Sequence, residues 1–216
     1  MSWPLQPVTL AGRHATLRPL QLADAPALAE AVRDGELWKL WYTAPPTPAD
    51  AGRWVEQAVG LQAAGIALPF AVLDASGTLV GSTRFMNIDP LHRRVEIGTT
   101  FYARRVQRTA LNTECKRMLL AHAFDTLGVI AVEFRTHFFN HASRRAIERL
   151  GAKLDGILRN HQRMPDGTLR DTCVYSILPH EWPTVRRHLD FQLETPRGRS
   201  ADALPSQETS ACTGPT

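Results

Sequence analysis

The chain is poor in lysine, poor in cysteine and free of long apolar runs. Only Lys39, Lys116 and Lys153 stand among 25 basic residues, so arginine supplies nearly all the positive charge. Three cysteines, Cys115, Cys173 and Cys212, are odd in number and match no CxxC or zinc spacing. A disulfide framework and a zinc module are thereby excluded. Cys115 and Cys173 sit in apolar-patterned segments and read as small buried hydrophobes. No apolar stretch approaches the roughly 18 residues needed to span a bilayer. The best candidate, Met118 to Phe124, is broken by His122. Met1-Ser2-Trp3-Pro4 shows neither a basic start nor an apolar core of a signal peptide. The expectation is a cytoplasmic protein with no membrane partner.

What is present suits one domain. The 216 residues are 44% hydrophobic and 21% charged. A chain of this size buries roughly 70% of its unfolded surface without staples. The net charge of +4 is mild, and a nucleic-acid binder concentrates more positive charge, so no nucleic acid is expected as partner. Arginine forks suit phosphate and carboxylate. From 194 onward the chain has no aromatic, one Leu, and several Ser, Thr and Pro. Such a segment cannot offset its ordering entropy. The reading is a short extension at 1–9, a domain at 10–190 and a disordered tail at 191–216.

Within the domain, strand-like and helix-like patterns alternate. Ala15–Leu20 reads as a strand, and Asp24 as the cap of a helix over Ala25–Val32. An aromatic loop, Leu37–Tyr42, precedes a helix over Ala49–Ala63. Leu68–Leu73 and Leu79–Asn87 form a hairpin through Ser76-Gly77. Val95–Tyr102 is a further strand. An Arg-rich loop, Ala103–Leu111, leads into a helix over Asn112–Leu127. Val132–Thr136 is a strand, Asn140 opens a helix that Gly151 stops, and Gly156–Arg163 pairs with Leu169–Leu178 through Pro165-Asp166-Gly167. Glu181–Leu189 closes the domain as a helix. Consecutive strands imply antiparallel pairing, and strand-helix-strand crossovers imply some parallel pairing. The fold class is α+β, with helices packed on a mixed sheet.

The chemistry concentrates where the Val95–Tyr102 strand turns straight into a helix. The first N–H groups of that helix are unpaired and the dipole is positive there, which makes an anion site. Arg104, Arg105, Arg108, Lys116 and Arg117 crowd the same region. His137 and His141 flank a strand-to-helix junction, so no metal site is expected.

Two motifs carry a resemblance. Gln107-Arg-Thr-Ala110-Leu-Asn112-Thr-Glu114 follows the pattern Gln-x-x-Gly-x-Gly/Ala-Thr-Glu. Asn140, Ser143, Ile147, Leu150 and Gly151 follow Asn-x-x-Ser-x-x-x-Ile-x-x-Leu-Gly. With this strand and helix context, residues 10 to 189 resemble the GNAT (Gcn5-related) N-acetyltransferases, in particular the branch that acetylates the N-terminal amine of ribosomal proteins. Ala110 and Asn112 replace glycines, and Asn112 could cap the helix instead.

The resemblance implies a mixed, mostly antiparallel sheet splayed between two central strands, with helices on both faces. It implies acetyl coenzyme A as co-substrate. The diphosphate would lie on Gln107, Arg108, Thr109, Ala110, Leu111, Asn112 and Thr113. The pantetheine arm would run along the strand at Phe101 and Tyr102, with Asn140 bonding it. The reaction would move an acetyl group to a primary amine of a protein N-terminus, peptide or small molecule. Glu96 would act as base, often through a water, its carboxyl raised by burial. A Glu96 simply paired with Arg93 or Arg94 is the competing reading. Backbone N–H groups at Phe101 and Tyr102 would stabilise the oxyanion. Ser143 would protonate the leaving thiolate, with Tyr102 in reserve. Trp38, Trp41 and Tyr42 would wall the acceptor site. A homodimer through the last hairpin is possible in this reading. The rival functions are a non-catalytic acyl coenzyme A sensor and an RNA-associated protein using the Arg-rich loop.

Overall fold

Leu17, Phe70, Val72, Val80 and Phe85 are wholly buried, and the strands that carry them lie side by side. The computed structural model describes residues 6–195. The strands are β1 (Leu10–Ala11), β2 (Ala15–Pro19), β3 (Leu68–Asp74), β4 (Leu79–Asp89), β5 (Arg94–Tyr102), β6 (Ala131–His137), β7 (Lys153–Arg163) and β8 (Leu169–Ile177). The helices are α1 (Ala25–Arg33), α2 (Ala51–Ala63), α3 (Leu111–Ala121), α4 (His141–Glu148) and α5 (Trp182–Glu194). One sheet results, in the order β1-β2-β3-β4-β5-β6-β8-β7. This is the mixed α+β arrangement expected.

All neighbours are antiparallel except β5 and β6. Those two run parallel for three pairs only: Arg94 with Ala131, Val95 with Val132 and Glu96 with Glu133. Past Glu96 they part, and β6 continues against β8 alone. The opening leaves a notch in the middle of the sheet.

On the other side of β5 the pairing with β4 is bulged between Ser82 and Arg84. Thr99 takes a left-handed conformation there, at φ 47°. That is costly for a β-branched residue, so the surrounding pairs must impose it. Gly81 is required beside it, because a Cβ at that position would strike the Phe101 carbonyl oxygen.

The two faces are covered by different helices. On one, Trp54 of α2 packs edge-on to Phe101 at 5.5 Å and lies 4.8 Å from the Arg84 guanidinium. On the other, Lys116 of α3 reaches Thr83 and Thr100. α5 braces α3 through Arg117 and Asp190 at 2.9 Å.

Several boundaries differ from the sequence reading. Asp24 does not cap α1; it accepts from the Gln21 N–H at 2.8 Å and from Arg18, closing the preceding turn. The helix expected over Asn112–Leu127 is α3 to Ala121 and then a wider π turn over His122–Thr126. α5 runs to Glu194, past the boundary placed at 190, because Leu189 is buried and Asp190 is anchored to α3. The rest of the tail, and residues 1–5 of the N-terminal extension, lie outside the described residues.

Candidate active site

Glu96 sits where β5 and β6 part. Its side chain shares a sheet face with Glu133 and Arg135, since Glu96 and Glu133 are paired and side chains alternate. It is 5% exposed. Oε2 accepts from the Asn87 amide at 2.6 Å, and Arg135 Nε lies 3.5 Å away. Burial raises the Glu96 carboxyl above its ordinary value, and the Asn87 bond and Arg135 charge only partly offset this. The pairing with Arg93 or Arg94 does not occur. Arg94 bonds Glu133 instead, at 2.5 Å. Burial alone would raise Glu133 too, but hydrogen bonds from Arg94 and Arg135 outweigh it and hold that carboxyl low. Two carboxyls side by side are thus driven in opposite directions. Of the two, Glu96 is the one suited to take a proton.

Beyond the bulge, β5 borders the notch without a partner. The Ala103 N–H bonds Val80 at 2.7 Å, so the Phe101 peptide also faces β4 and the Tyr102 peptide faces the notch. Of the two expected oxyanion donors, only the Tyr102 N–H is placed for it. The Tyr102 carbonyl accepts from Gln107 Nε2 at 2.9 Å, which ties the strand to the turn that follows. The Tyr102 phenol is buried beside Cys115, and burial raises both groups, the thiol to about 12. It points into the core and is not the reserve proton donor.

The turn into α3 keeps its expected form with a different cap. Arg108 is left-handed at φ 59°. Thr109 Oγ1 donates to the Val106 carbonyl at 2.7 Å and accepts from the Leu111 N–H at 3.3 Å. Asn112 lies inside the first turn and caps nothing. The Asn112 amide follows on the helix start, where a diphosphate would find a donor. The basic crowd is thinner than the sequence suggested. Arg105 pairs with Asp34, Arg117 with Asp190, and Lys116 turns inward. Arg104 and Arg108 are exposed and carry no ion pair among the described residues.

Across the notch, β6 leads into α4. Asn140 Oδ1 accepts the Ser143 N–H at 3.0 Å and caps the helix. Neither its Nδ2 nor the Ser143 hydroxyl has a partner among the described residues. A polar amide arm fits such a slot, since one edge presents peptide groups and the other a free amide donor.

The aromatic loop divides. Trp38 packs on the core. Trp41 is 53% exposed and sits edge-on to Tyr42 at 5.6 Å and to His137 at 5.0 Å. That puts Trp41 and Tyr42 at the end of β6. His137, although next to this wall, belongs to no group of metal-binding residues among those described.

The roles of three residues escaped the sequence reading. Glu114, at the end of the turn's motif, accepts the backbone N–H groups of Arg13, His14 and Ala15 at 2.9, 2.5 and 2.8 Å. Arg84 is 7% exposed with no carboxylate partner among the described residues, and burial pulls its guanidinium down to about 10. Lys116 is 6% exposed. Only a helix register placing position 116 on the inner face could have signalled the last.

Comparison with known proteins agrees with this architecture. The family model described as acetyltransferase (GNAT) domain matches residues 14–153. A Bacillus subtilis (strain 168) protein provisionally named a ribosomal N-acetyltransferase, YdaF, is 28% identical over 179 residues, covering 78% of this chain and 93% of its own. The crystal structure of a GCN5-related N-acetyltransferase from Brucella melitensis is 30% identical with a TM-score of 0.80, covering 93% of this chain and 90% of that one. A provisionally named acetyltransferase from T. thermophilus is 33% identical with a TM-score of 0.76, over 87% of this chain and 98% of its own.

Proposed function

The chain belongs to the acetyltransferase (GNAT) domain family and is an acyltransferase of that family, and from that premise we propose that it moves an acetyl group from acetyl coenzyme A to the amino terminus of a protein or peptide. The observation that carries this reading is the notch, which has a buried, proton-avid Glu96 at its floor. The ribosomal name of the Bacillus subtilis relative favours a protein amine as acceptor. A cytoplasmic setting fits it; no helix among the described residues is long and apolar enough to cross a membrane.

Acetyl coenzyme A, when bound, supplies the thioester whose acetyl group the amine takes. The remaining work falls to the chain. The turn from Gln107 to Thr113, with the Asn112 amide at the helix start and the Arg108 guanidinium, holds the diphosphate. Tyr102 and Asn140 hold the arm from opposite lips. Glu96, directly or through one water, takes the proton that the attacking amine must lose. The Tyr102 N–H stabilises charge on the carbonyl oxygen. Ser143 donates a hydrogen bond to the departing sulfur. Trp41 and Tyr42 wall the acceptor. Exposed Leu154, Ile157 and Leu158 on the edge strand β7 favour a homodimer formed there.

The test is release of free thiol from acetyl coenzyme A with peptides bearing free N-termini. Turnover with such peptides, and none with the same peptides blocked at the N-terminus, is expected. Equal turnover on blocked peptides would overturn the acceptor assignment, and no turnover on any amine would overturn the reaction.

A further inference from the structure

Lys116 is the most deeply buried cation among the described residues and has no carboxylate partner among them. Its Nζ donates to Thr100 Oγ1 at 2.8 Å and approaches Thr83 Oγ1 at 3.3 Å. Those two hydroxyls are themselves 2.7 Å apart. Such a cluster is expensive to bury, because two neutral hydroxyls do not neutralise an ammonium. Its location matters more than its cost. Thr100 follows the left-handed Thr99 in the β5 bulge, so the Lys116 ammonium is fastened to the bent part of the strand that borders the notch. Thr100 is an exposed residue although Lys116 is not. The hydroxyl therefore links the buried ammonium to a solvent-exposed position on the strand that borders the notch.

Burial lowers the Lys116 amine to about 8, and the neighbouring Cys115 only slightly opposes this. The other titratable groups packed near it are quiet at neutral pH: Cys115 is raised to about 12 and Tyr102 is raised as well, both by burial. Glu114, two residues earlier in the helix, is turned to the amides of residues 13–15. An amine of this kind holds its proton below about pH 8 and gives it up readily to a thiolate.

We propose that Lys116, acting through the Thr100 hydroxyl, is the source of the proton that the coenzyme A thiolate takes up on leaving. This rests on the acetyl-transfer reading above. The bond from the amine nitrogen to the acetyl carbon forms and the carbon–sulfur bond breaks, its electron pair going to sulfur. Thr100 passes its hydroxyl proton to sulfur and receives one from the Lys116 ammonium. The proton lost by the attacking amine goes to Glu96, so the protons balance, and Lys116 and Glu96 return to their starting states through solvent. Ser143 can stabilise the thiolate by a hydrogen bond, but among the described residues no acid is hydrogen-bonded to its hydroxyl to replace a proton.

The experiment has two arms on Lys116→Arg, Lys116→Met and Thr100→Val. The first follows kcat against pH. Wild type should lose activity above about pH 8, and each variant should lose roughly 10²-fold in kcat near neutral pH, together with that basic limb. Lys116→Arg keeps the charge without a transferable proton, so a merely structural lysine would be rescued by it. The second arm needs no turnover. The Lys116 side-chain pKa is followed by NMR with coenzyme A and with the analogue lacking its sulfur. A rise with coenzyme A that the sulfur-free analogue does not give is expected. Thr100→Val keeps the side-chain shape and leaves Lys116 in place, and thermal melting of all three variants separates a loss of folding from a loss of proton transfer. Full kcat with an unchanged basic limb in Lys116→Arg or Thr100→Val, or identical Lys116 titrations with the two ligands, would overturn the proposal. Failure of wild type to turn over any amine would instead overturn the acetyl-transfer reading.

Discussion

The Asn87 side-chain amide donates to Oε2 of Glu96 across 2.6 Å, from a left-handed residue that ends the regular part of β4. The bond favours the carboxylate and so opposes the burial that raises Glu96. A base works only when deprotonated, so activity should climb as pH rises through the Glu96 pKa. Asn87→Ala removes a stabiliser of the charged form. Its acid limb should therefore shift to higher pH, with little change in kcat on the plateau. Glu96→Gln should lose about 10²–10³-fold in kcat. A pH series on the two variants checks both, and an acid limb that stays put in Asn87→Ala would assign it to another group.

Asn140 serves the fold and the arm with different atoms. Oδ1 caps α4 through the Ser143 N–H, and Nδ2 is left over. Asn140→Asp keeps the acceptor and loses the donor. It should melt near wild type yet bind coenzyme A more weakly. Asn140→Ala loses both, with about 1 kcal/mol of stability from the cap. Thermal melting and calorimetry with coenzyme A separate the two effects. Equal affinity in Asn140→Asp would show that Nδ2 does not touch the ligand.

Much of this architecture was legible in order and spacing. The Gln107 turn, Asn140 and Ser143 stand where their motifs placed them, because turn and cap chemistry is local and spelled out in adjacent residues. Contacts between distant segments were not legible. Lys116 follows a run of arginines and reads as one more phosphate ligand until the helix phase turns it inward. Asp24 looked like a helix cap because it precedes Ala25-Pro26, but Arg18, on the preceding strand, claims its carboxylate. The divided orientation of Phe101 and Tyr102 depends on a bulge at Thr99, and no residue type announces one there.

Glu114 illustrates a motif residue whose work is structural. It is 8% exposed and satisfies three consecutive backbone N–H groups between β1 and β2. Glu114→Ala would leave those donors unpaired, at about 1–3 kcal/mol for each one that water cannot reach. A loss of several kcal/mol is expected in urea unfolding. Gly12→Ala should also destabilise, since its Cβ would meet the same carboxylate at 2.5 Å. If Glu114→Ala unfolds at the wild-type urea concentration, the loop is held by something else.

Trp38 and Trp41 come from one loop and should separate stability from recognition. Trp38 leans on the core, so Trp38→Ala should lower the urea midpoint and leave the acceptor KM nearly unchanged. Trp41 is 53% exposed, and its ring contacts among the described residues are an aromatic fringe of Tyr42, His137 and Phe139. Aromatic pairs of this kind contribute about 0.5–1.5 kcal/mol beyond their buried area, so Trp41→Ala should cost little stability. If the fringe is the acceptor wall, the same change should raise the peptide KM about tenfold, the equivalent of roughly 1.4 kcal/mol. The KM for acetyl coenzyme A should not move, because the Gln107 turn and Asn140 lie on other elements. A peptide KM unchanged by Trp41→Ala would move the acceptor site away from this loop and leave the notch and Glu96 untouched.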